Sequence, residues 1–136
     1  MKVYKLVCIQ SRSGGNLSAP QIGSKFVSVC GGEYSLDYSI EKKTVPVIGR
    51  LFGFDKIENA MKTLKSGGFG AAILEGEATD VKRTLRMAYF GFFKVFWKNR
   101  KMKKNSKCDS VLAPKGTVTF SSFVPERLVF SKGERQ

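Results

Sequence analysis

The stretch that most constrains the fold is residues 51–77, whose pattern predicts a strand, a short helix and a second strand. Asp55 is followed three residues later by Glu58, which is the register of a capping box. Apolar residues then recur at i, i+3, i+4 and i+7, and they are Ile57, Ala60, Met61 and Leu64. A glycine pair supplies the C-terminal stop, and AAILEGE follows as a buried strand. This unit sets a helix against a sheet, which indicates an α+β fold.

The rest of the chain is dominated by short apolar-polar alternations that end at glycine, proline or turn residues, a pattern typical of antiparallel strands. We predict strands over 1–10, 24–30, 33–40, 117–123 and 127–130, and an irregular or edge strand over 44–54. Residues 81–97 fit either a helical stripe or a strand, and we favour a strand or turn that leads into a short helix over 92–97. The prediction is an α+β fold, mainly an antiparallel sheet of five to seven short strands with one or two short helices. It forms a single domain over 1–130, followed by a frayed tail over 131–136.

Basic charge is concentrated in one part of the sequence. The chain has 24 basic and 11 acidic residues, a formal charge of +13. Ten of the basic residues fall within 82–107, and no Asp or Glu lies between Asp80 and Asp109. Six aromatic residues lie in the same stretch: Tyr89, Phe90, Phe92, Phe93, Phe96 and Trp97. Clustered positive charge of this kind favours a polyanionic partner.

Cations beside rings are suited to nucleic acid. Lysine and arginine neutralise phosphates and release counterions, and aromatic faces stack on unpaired bases at about 1–3 kcal/mol per base. The predicted nucleic-acid-binding residues are Lys82, Arg83, Arg86, Lys94, Trp97, Lys98, Arg100, Lys101, Lys103, Lys104 and Lys107. The arginines rank first because a guanidinium binds phosphate through two parallel hydrogen bonds. We predict an exposed basic loop over 98–109. The alternative is that Tyr89, Phe92 and Phe96 belong to the core and the lysines only solvate this loop, with Trp97 as the ring most expected to lie outside the core.

The charge also suits an acidic protein surface, which keeps a second partner class open. We predict no membrane partner, because no apolar run approaches the roughly 18 residues of a membrane span. The N-terminus, MKVYKLVCIQ, is too short and too alternating for the apolar core of a signal peptide. A cytoplasmic location is the simplest expectation.

The residues that most enzymes depend on are missing. The chain has no histidine, and its three cysteines show no CxxC spacing. This removes the usual general base, the Ser-His and Cys-His nucleophile pairs and the common zinc sites. An acidic cluster of Glu75, Glu77 and Asp80 is suited either to Mg²⁺ or to plain ion pairing, and we favour ion pairing. We therefore predict a protein that is not an enzyme and that has no cofactor and no metal.

Three pieces of the sequence resemble a known type of domain. LFGFDKIENAMKTL, AILEGE and PKGTVTFSSFVPERLVF, in that order, resemble small α+β domains of bacteriophage genomes. The resemblance implies a phage-encoded protein that acts in the cytoplasm of the host cell. The element order is also similar to the ADP-ribosyltransferase core, which implies a nucleotide-binding build. The residues 3–9, however, lack the Arg or His with which that family grips NAD.

Three hypotheses follow in order of preference. The first is a nucleic-acid-binding protein that uses the basic and aromatic surface. The second is a phage interaction protein that binds and modulates an acidic surface of a host protein. The third is a nucleotide-binding domain of ADP-ribosyltransferase-like build.

Overall fold

The computed structural model describes residues 1–29, 34–67, 70–88, 93–102 and 110–133. The two helices are α1 (Ile57–Gly67) and α2 (Phe93–Lys101). The strands are β1 (Lys2–Gln10), β2 (Asn16–Leu17), β3 (Lys25–Val27), β4 (Leu51–Phe54), β5 (Ala72–Thr79), β6 (Lys82–Arg83), β7 (Arg86–Ala88), β8 (Ser110–Leu112), β9 (Thr117–Phe120) and β10 (Ser122–Ser131). The α+β class and the mainly antiparallel sheet are confirmed.

The number of strands is higher than predicted, since the described residues form ten rather than five to seven. The excess comes from pieces of two or three residues, namely β2, β6, β7 and β8. A strand of two or three residues is too short to show apolar-polar alternation. It is recognised only from its pairing with a strand that is distant in sequence. Strand β2, for example, has only two residues, and its Leu17 pairs with Ile9 of β1.

The main sheet has the order β10-β5-β1-β4-β9-β6, and β2 and β3 pair with the far end of β1. Strand β9 passes into β10 through the single residue Ser121, while β9 pairs with β4 and β10 pairs with β5. Because one nearly continuous stretch of chain pairs with strands on both sides of β1, the sheet curls. The sheet therefore has two different faces. The concave face is called the inner face, and the opposite, convex face is called the outer face.

Each face of the sheet has its own apolar cluster. The inner face carries the larger one, which includes Val3, Leu74, Val118, Phe120 and Phe123. Helix α1 covers the outer face, where Phe54, Ala60, Leu64 and Ile73 form a second buried cluster. In β1, Val3, Val7 and Ile9 are fully buried and belong to the inner cluster.

Helix α1 forms where the apolar period predicted it, but its cap differs. The N–H of Ala60 donates to the carbonyl of Lys56, so Asp55 lies one residue before the N-cap. The Asp55 carboxylate instead accepts a hydrogen bond from the Asn59 side chain and pairs with Arg83, which is distant in sequence. The expected capping box is therefore replaced by a tertiary contact.

Several predicted strands differ from the structure. Of the irregular or edge strand predicted over 44–54, only 51–54 form a strand, and this strand, β4, lies inside the sheet between β1 and β9. The part of 33–40 that is described makes only one isolated bridge, between Asp37 and Val27, with Tyr38 buried in the inner cluster; residues 30–33 lie outside the described residues. Pro125 lies within β10 and does not interrupt the last strand. Strand β10 lies at the edge of the sheet, so the N–H that proline lacks is not required for pairing on the side away from β5. Bulges at 126 and 129 absorb the irregularity.

Two segment boundaries also need correction. The predicted loop over 98–109 begins too early, since residues 98–101 form the last turn of α2, and 103–109 lie outside the described residues. The predicted frayed tail also begins too early. Ser131 is buried in β10, and the N–H groups of Lys132 and Gly133 donate to the carbonyls of Ala71 and Ser18. Residues 134–136 lie outside the described residues.

Neither helix in the described part of the chain is long and apolar enough to cross a membrane.

Candidate functional site

Most of the predicted binding residues lie on one excursion of the chain, residues 86–112. The excursion leaves the edge strand β6, forms β7, α2 and β8, and rejoins the sheet before β9. Strands β7 and β8 pair with each other in a separate two-stranded sheet. At the base of the excursion, the N–H of Ala113 donates to the carbonyl of Leu85 at 2.9 Å, which joins the two ends of the segment. We call this segment the basic excursion, since its charged residues are eight cations and one carboxylate, Asp109.

Aromatic rings hold α2 against the outer face of the sheet. Phe96 is buried, and its ring centroid lies 6.0 Å from that of Phe52 in β4. The ring of Trp97 lies 5.5 Å from Phe52 and 4.9 Å from Phe96. These rings therefore position the helix, as the alternative in the sequence analysis proposed for the aromatics. Trp97 packs against the protein and is not displayed as a stacking platform.

Three lysines form the exposed face of α2. Lys94, Lys98 and Lys101 recur at i, i+4 and i+7, so they lie along one side of the helix, and all three are exposed. The ion pairs found among the described residues involve other cations. We call these three residues the α2 lysine face.

The arginine of α2 has a different environment. The Arg100 guanidinium lies over the Phe96 ring, 4.4 Å from its centroid, which is a cation–π contact. Lys98, Arg100 and Lys101 all lie in the last turn of the helix. A positive charge there interacts favourably with the helix dipole, and each such charge stabilises the helix by about 0.3–1 kcal/mol. Lys98 and Lys101 therefore both stabilise the helix and belong to the α2 lysine face, which is open to solvent.

The cations near the sheet edge are less free than the sequence suggested. Arg83 pairs with Asp55 at 3.2 Å, although its own side chain is 78% exposed. Arg86 donates to the hydroxyl and the carbonyl of Ser110 at 2.6 and 2.9 Å, which ties β7 to β8. Arg86 therefore holds the base of the excursion together. Lys82 is exposed on β6.

The structure thus brings together only part of the predicted site. Lys94, Lys98 and Lys101 form one face, Arg100 lies on the same helix, and Lys82 and Arg83 lie on a sheet edge. Trp97 and Arg86 have packing and hydrogen-bonding roles. Lys103, Lys104 and Lys107 lie outside the described residues, as do Tyr89, Phe90 and Phe92.

Sequence reasoning missed the partners that position α2. Phe52 and Gly49 both lie in the predicted irregular or edge strand over 44–54, and neither was given a role in positioning a helix. Sequence reasoning also missed two protruding leucines at the base of the excursion, Leu85 and Leu112, which are 84% and 76% exposed. No local sequence pattern reveals these contacts or this exposure, because both depend on which distant residues lie beside each side chain in the fold.

The acidic cluster is fully engaged in ion pairs, as favoured from the sequence. Glu75 accepts from Arg127 at 3.0 Å, Glu77 pairs with the N-terminal amine, and Asp80 pairs with Arg50 at 2.7 Å. These contacts lower the pKa of all three carboxyls, led in each case by the hydrogen bond from that partner. Within the described ranges, no group of three His, Cys, Asp or Glu side chains is placed to hold a metal ion.

The fold and the site together define a small α+β protein that carries a cationic helix on the outer face of a curled antiparallel sheet. Comparison of the chain with protein-family models, with curated proteins and with solved structures gives no match.

Proposed function

We propose that this protein binds nucleic acid through the phosphate backbone, with the α2 lysine face as the main contact. The observation that carries the proposal is the alignment of Lys94, Lys98 and Lys101 on one exposed side of a helix. The rings beneath the helix support this role, because a positioned lysine loses less freedom on binding than one on a mobile loop. The formal charge of +13 adds long-range attraction for a polyanion.

The proposed mode is sequence-independent. Phosphate contacts release counterions from any sequence, whereas base recognition needs side chains that reach base edges or stack on bases. The described rings of the excursion, Phe96 and Trp97, pack against the sheet and against each other. Lys82 and Arg83 on the edge strand would extend the phosphate contacts beyond α2.

The origin and cellular role form part of the same proposal. The resemblance of residues 51–64, 72–77 and 114–130 to bacteriophage domains supports a phage-encoded protein that acts in the host cytoplasm. The lack of histidine supports a binding role without catalysis.

The test is binding to single-stranded and double-stranded oligonucleotides across a salt series. Neutralisation of about six phosphates gives a slope of about −4 to −5 in a plot of log K against log salt. The triple variant Lys94→Gln, Lys98→Gln, Lys101→Gln is expected to make this slope shallower by about 2 to 3. The matched control is Lys42→Gln, Lys43→Gln, Lys56→Gln, which removes the same charge from exposed positions elsewhere.

Two results would overturn the proposal. The first is the absence of binding by the wild-type protein at low salt. The second is an equal loss of slope in the triple variant and in its control, because general charge and not the α2 lysine face would then account for binding.

A further inference from the structure

A shallow, open groove of about 480 Å³ lies between α1 and β10 on the outer face of the sheet. One side of the groove is a stripe of α1, and the other is a pair of residues near the end of β10. The α1 residues are Ile57, Glu58, Met61, Lys62 and Lys65, and the β10 residues are Val129 and Phe130. None of them belongs to the basic excursion, so the groove is distinct from the α2 lysine face.

The groove is flanked by an edge of the sheet that is only partly covered. Strand β10 is the last strand at one edge of the sheet. On the side away from β5, Thr44 forms an isolated bridge with Phe123, and the N–H of Glu41 donates to the carbonyl of Pro125. From Arg127 to Ser131, no other strand of the described chain pairs with that side. An uncovered edge next to a helix is a common setting for recognition of an extended peptide, with pockets that take alternate side chains.

The bulge in β10 shapes this site. Leu128 pairs with Leu74 and Phe130 pairs with Ile73, so Val129 is the extra residue and its side chain lines the groove. A bulge interrupts the ladder edge and limits continuous strand addition. Side chains in the groove, rather than a long row of main-chain hydrogen bonds, must therefore supply most of the affinity.

Apolar and charged residues lie on two neighbouring lines of α1. Ile57 and Met61 form the apolar line, with Val129 on the other side of the groove, while the charged line carries Glu58 near the start of the helix and the two lysines toward its carboxyl end. Lys62 and Lys65 are both exposed, and neither takes part in the ion pairs found among the described residues. The lining therefore complements an apolar group that is followed by negative charge.

We propose that this groove docks a short acidic peptide segment of a partner protein. An apolar side chain of the peptide packs between Met61 and Val129, and a neighbouring carboxylate binds Lys62 and Lys65. The occupant is a peptide and not an acyl chain, because the groove is open to solvent and its two exposed lysines favour carboxylates beside an apolar side chain. The site goes beyond nucleic-acid binding, since it uses a different surface.

The test starts with a library of random dodecapeptides displayed on particles and selected on the full-length wild-type protein. Enriched peptides are expected to contain Asp or Glu next to Leu, Ile, Val, Phe or Met. Their affinities are then measured by fluorescence anisotropy. The double variant Lys62→Glu, Lys65→Glu is expected to weaken binding by about tenfold, from two reversed surface charges. Met61→Gln, which nearly conserves side-chain size at a half-buried position, is expected to weaken it by at least about fivefold.

The control Lys42→Glu, Lys43→Glu makes the same charge change on an exposed turn, and we expect less than about a twofold effect. The α2 triple variant is expected to bind the peptides as wild type does, whether or not that variant has lost nucleic acid. The proposal is overturned by a library that yields no enrichment, by enriched peptides without acidic residues, or by peptides that bind the Lys62 and Lys65 double variant as well as wild type.

Discussion

The indole ring of Trp97 lies directly against the backbone of Gly49. A Cβ built on Gly49 would come within 2.1 Å of the ring, and the φ of Gly49 is +63°. Two requirements therefore meet at one residue: a backbone conformation that glycine adopts most readily and a space that only a hydrogen fits. Through this contact and Phe52, residues before and within β4 position the helix that carries the α2 lysine face.

The first prediction follows from this contact. Gly49→Ala is expected to displace Trp97 and to destabilise the protein by at least about 1 kcal/mol, since alanine is strained at positive φ and its Cβ overlaps the indole. Urea unfolding measures the stability. Trp97 is the only tryptophan, so the wavelength of its emission reports directly on the packing of α2.

The matched control for that variant is Gly14→Ala. Gly14 has a φ of +99°, and a Cβ there meets nothing within 4 Å, so this variant has the backbone strain without the clash. Gly49→Ala must exceed the control in stability loss and must alone shift the Trp97 emission. Equal losses with unchanged emission would contradict the prediction.

The second prediction concerns Phe52, the ring on which α2 packs. Phe52→Ala is expected to cost about 2 kcal/mol, less than for a fully buried ring, and to shift the emission of Trp97 to longer wavelength. It is also expected to weaken nucleic-acid binding although no charge changes, because the α2 lysine face loses its support. Phe26→Ala, at a half-buried ring beside the inner cluster, is the control. It should lose stability but retain binding at temperatures where it remains folded.

The third prediction concerns the pH dependence of the Glu75–Arg127 pair. The hydrogen bond from Arg127, with further support from Tyr4, lowers the pKa of the Glu75 carboxyl in the folded state. The stability from this pair is therefore present above the pKa of an unfolded glutamate, about 4.3, and is lost as the pH falls through the lower folded pKa.

A double-mutant cycle of Glu75→Gln and Arg127→Met tests this directly. The coupling free energy is expected to be about 0.5–1 kcal/mol at pH 7 and to be smaller near pH 2, because the carboxyl loses its charge as the pH falls through its lowered pKa. Urea unfolding at both pH values measures it. A coupling that is the same at both would show that the pair acts through packing and not through charge.

Several elements were predictable because their signals are local. The i, i+3, i+4 and i+7 spacing of apolar residues predicted α1, alternation predicted β1, and the apolar run AAILEGE predicted β5, each to within a few residues. The short helix expected from 92 onward is α2, although its end lies beyond Trp97. The prediction of Asp55 as the cap of α1 was wrong, because Asp55 binds Arg83 of the distant strand β6. The spacing of residues within the helix contains no information about such a partner.

The candidate site was predictable only in composition. The charge of 82–107 identified the segment that carries the α2 lysine face. It did not distinguish Arg86, which binds Ser110, from Lys94, which is exposed, because both are simply cations in the sequence. Pairing with a distant partner decides which charge is available to a ligand.

The sequence by itself determined the α+β class, the strand–helix–strand unit of 51–77 and the strong positive charge, since these depend on residue type and on periods shorter than one element. Only the tertiary structure decided that the sheet curls around Phe120 and Phe123, that Trp97 packs on Gly49, and that three lysines of α2 face solvent together. The physical reason is that burial and pairing are properties of contacts between segments far apart in the chain, and those contacts exist only once the sheet has closed.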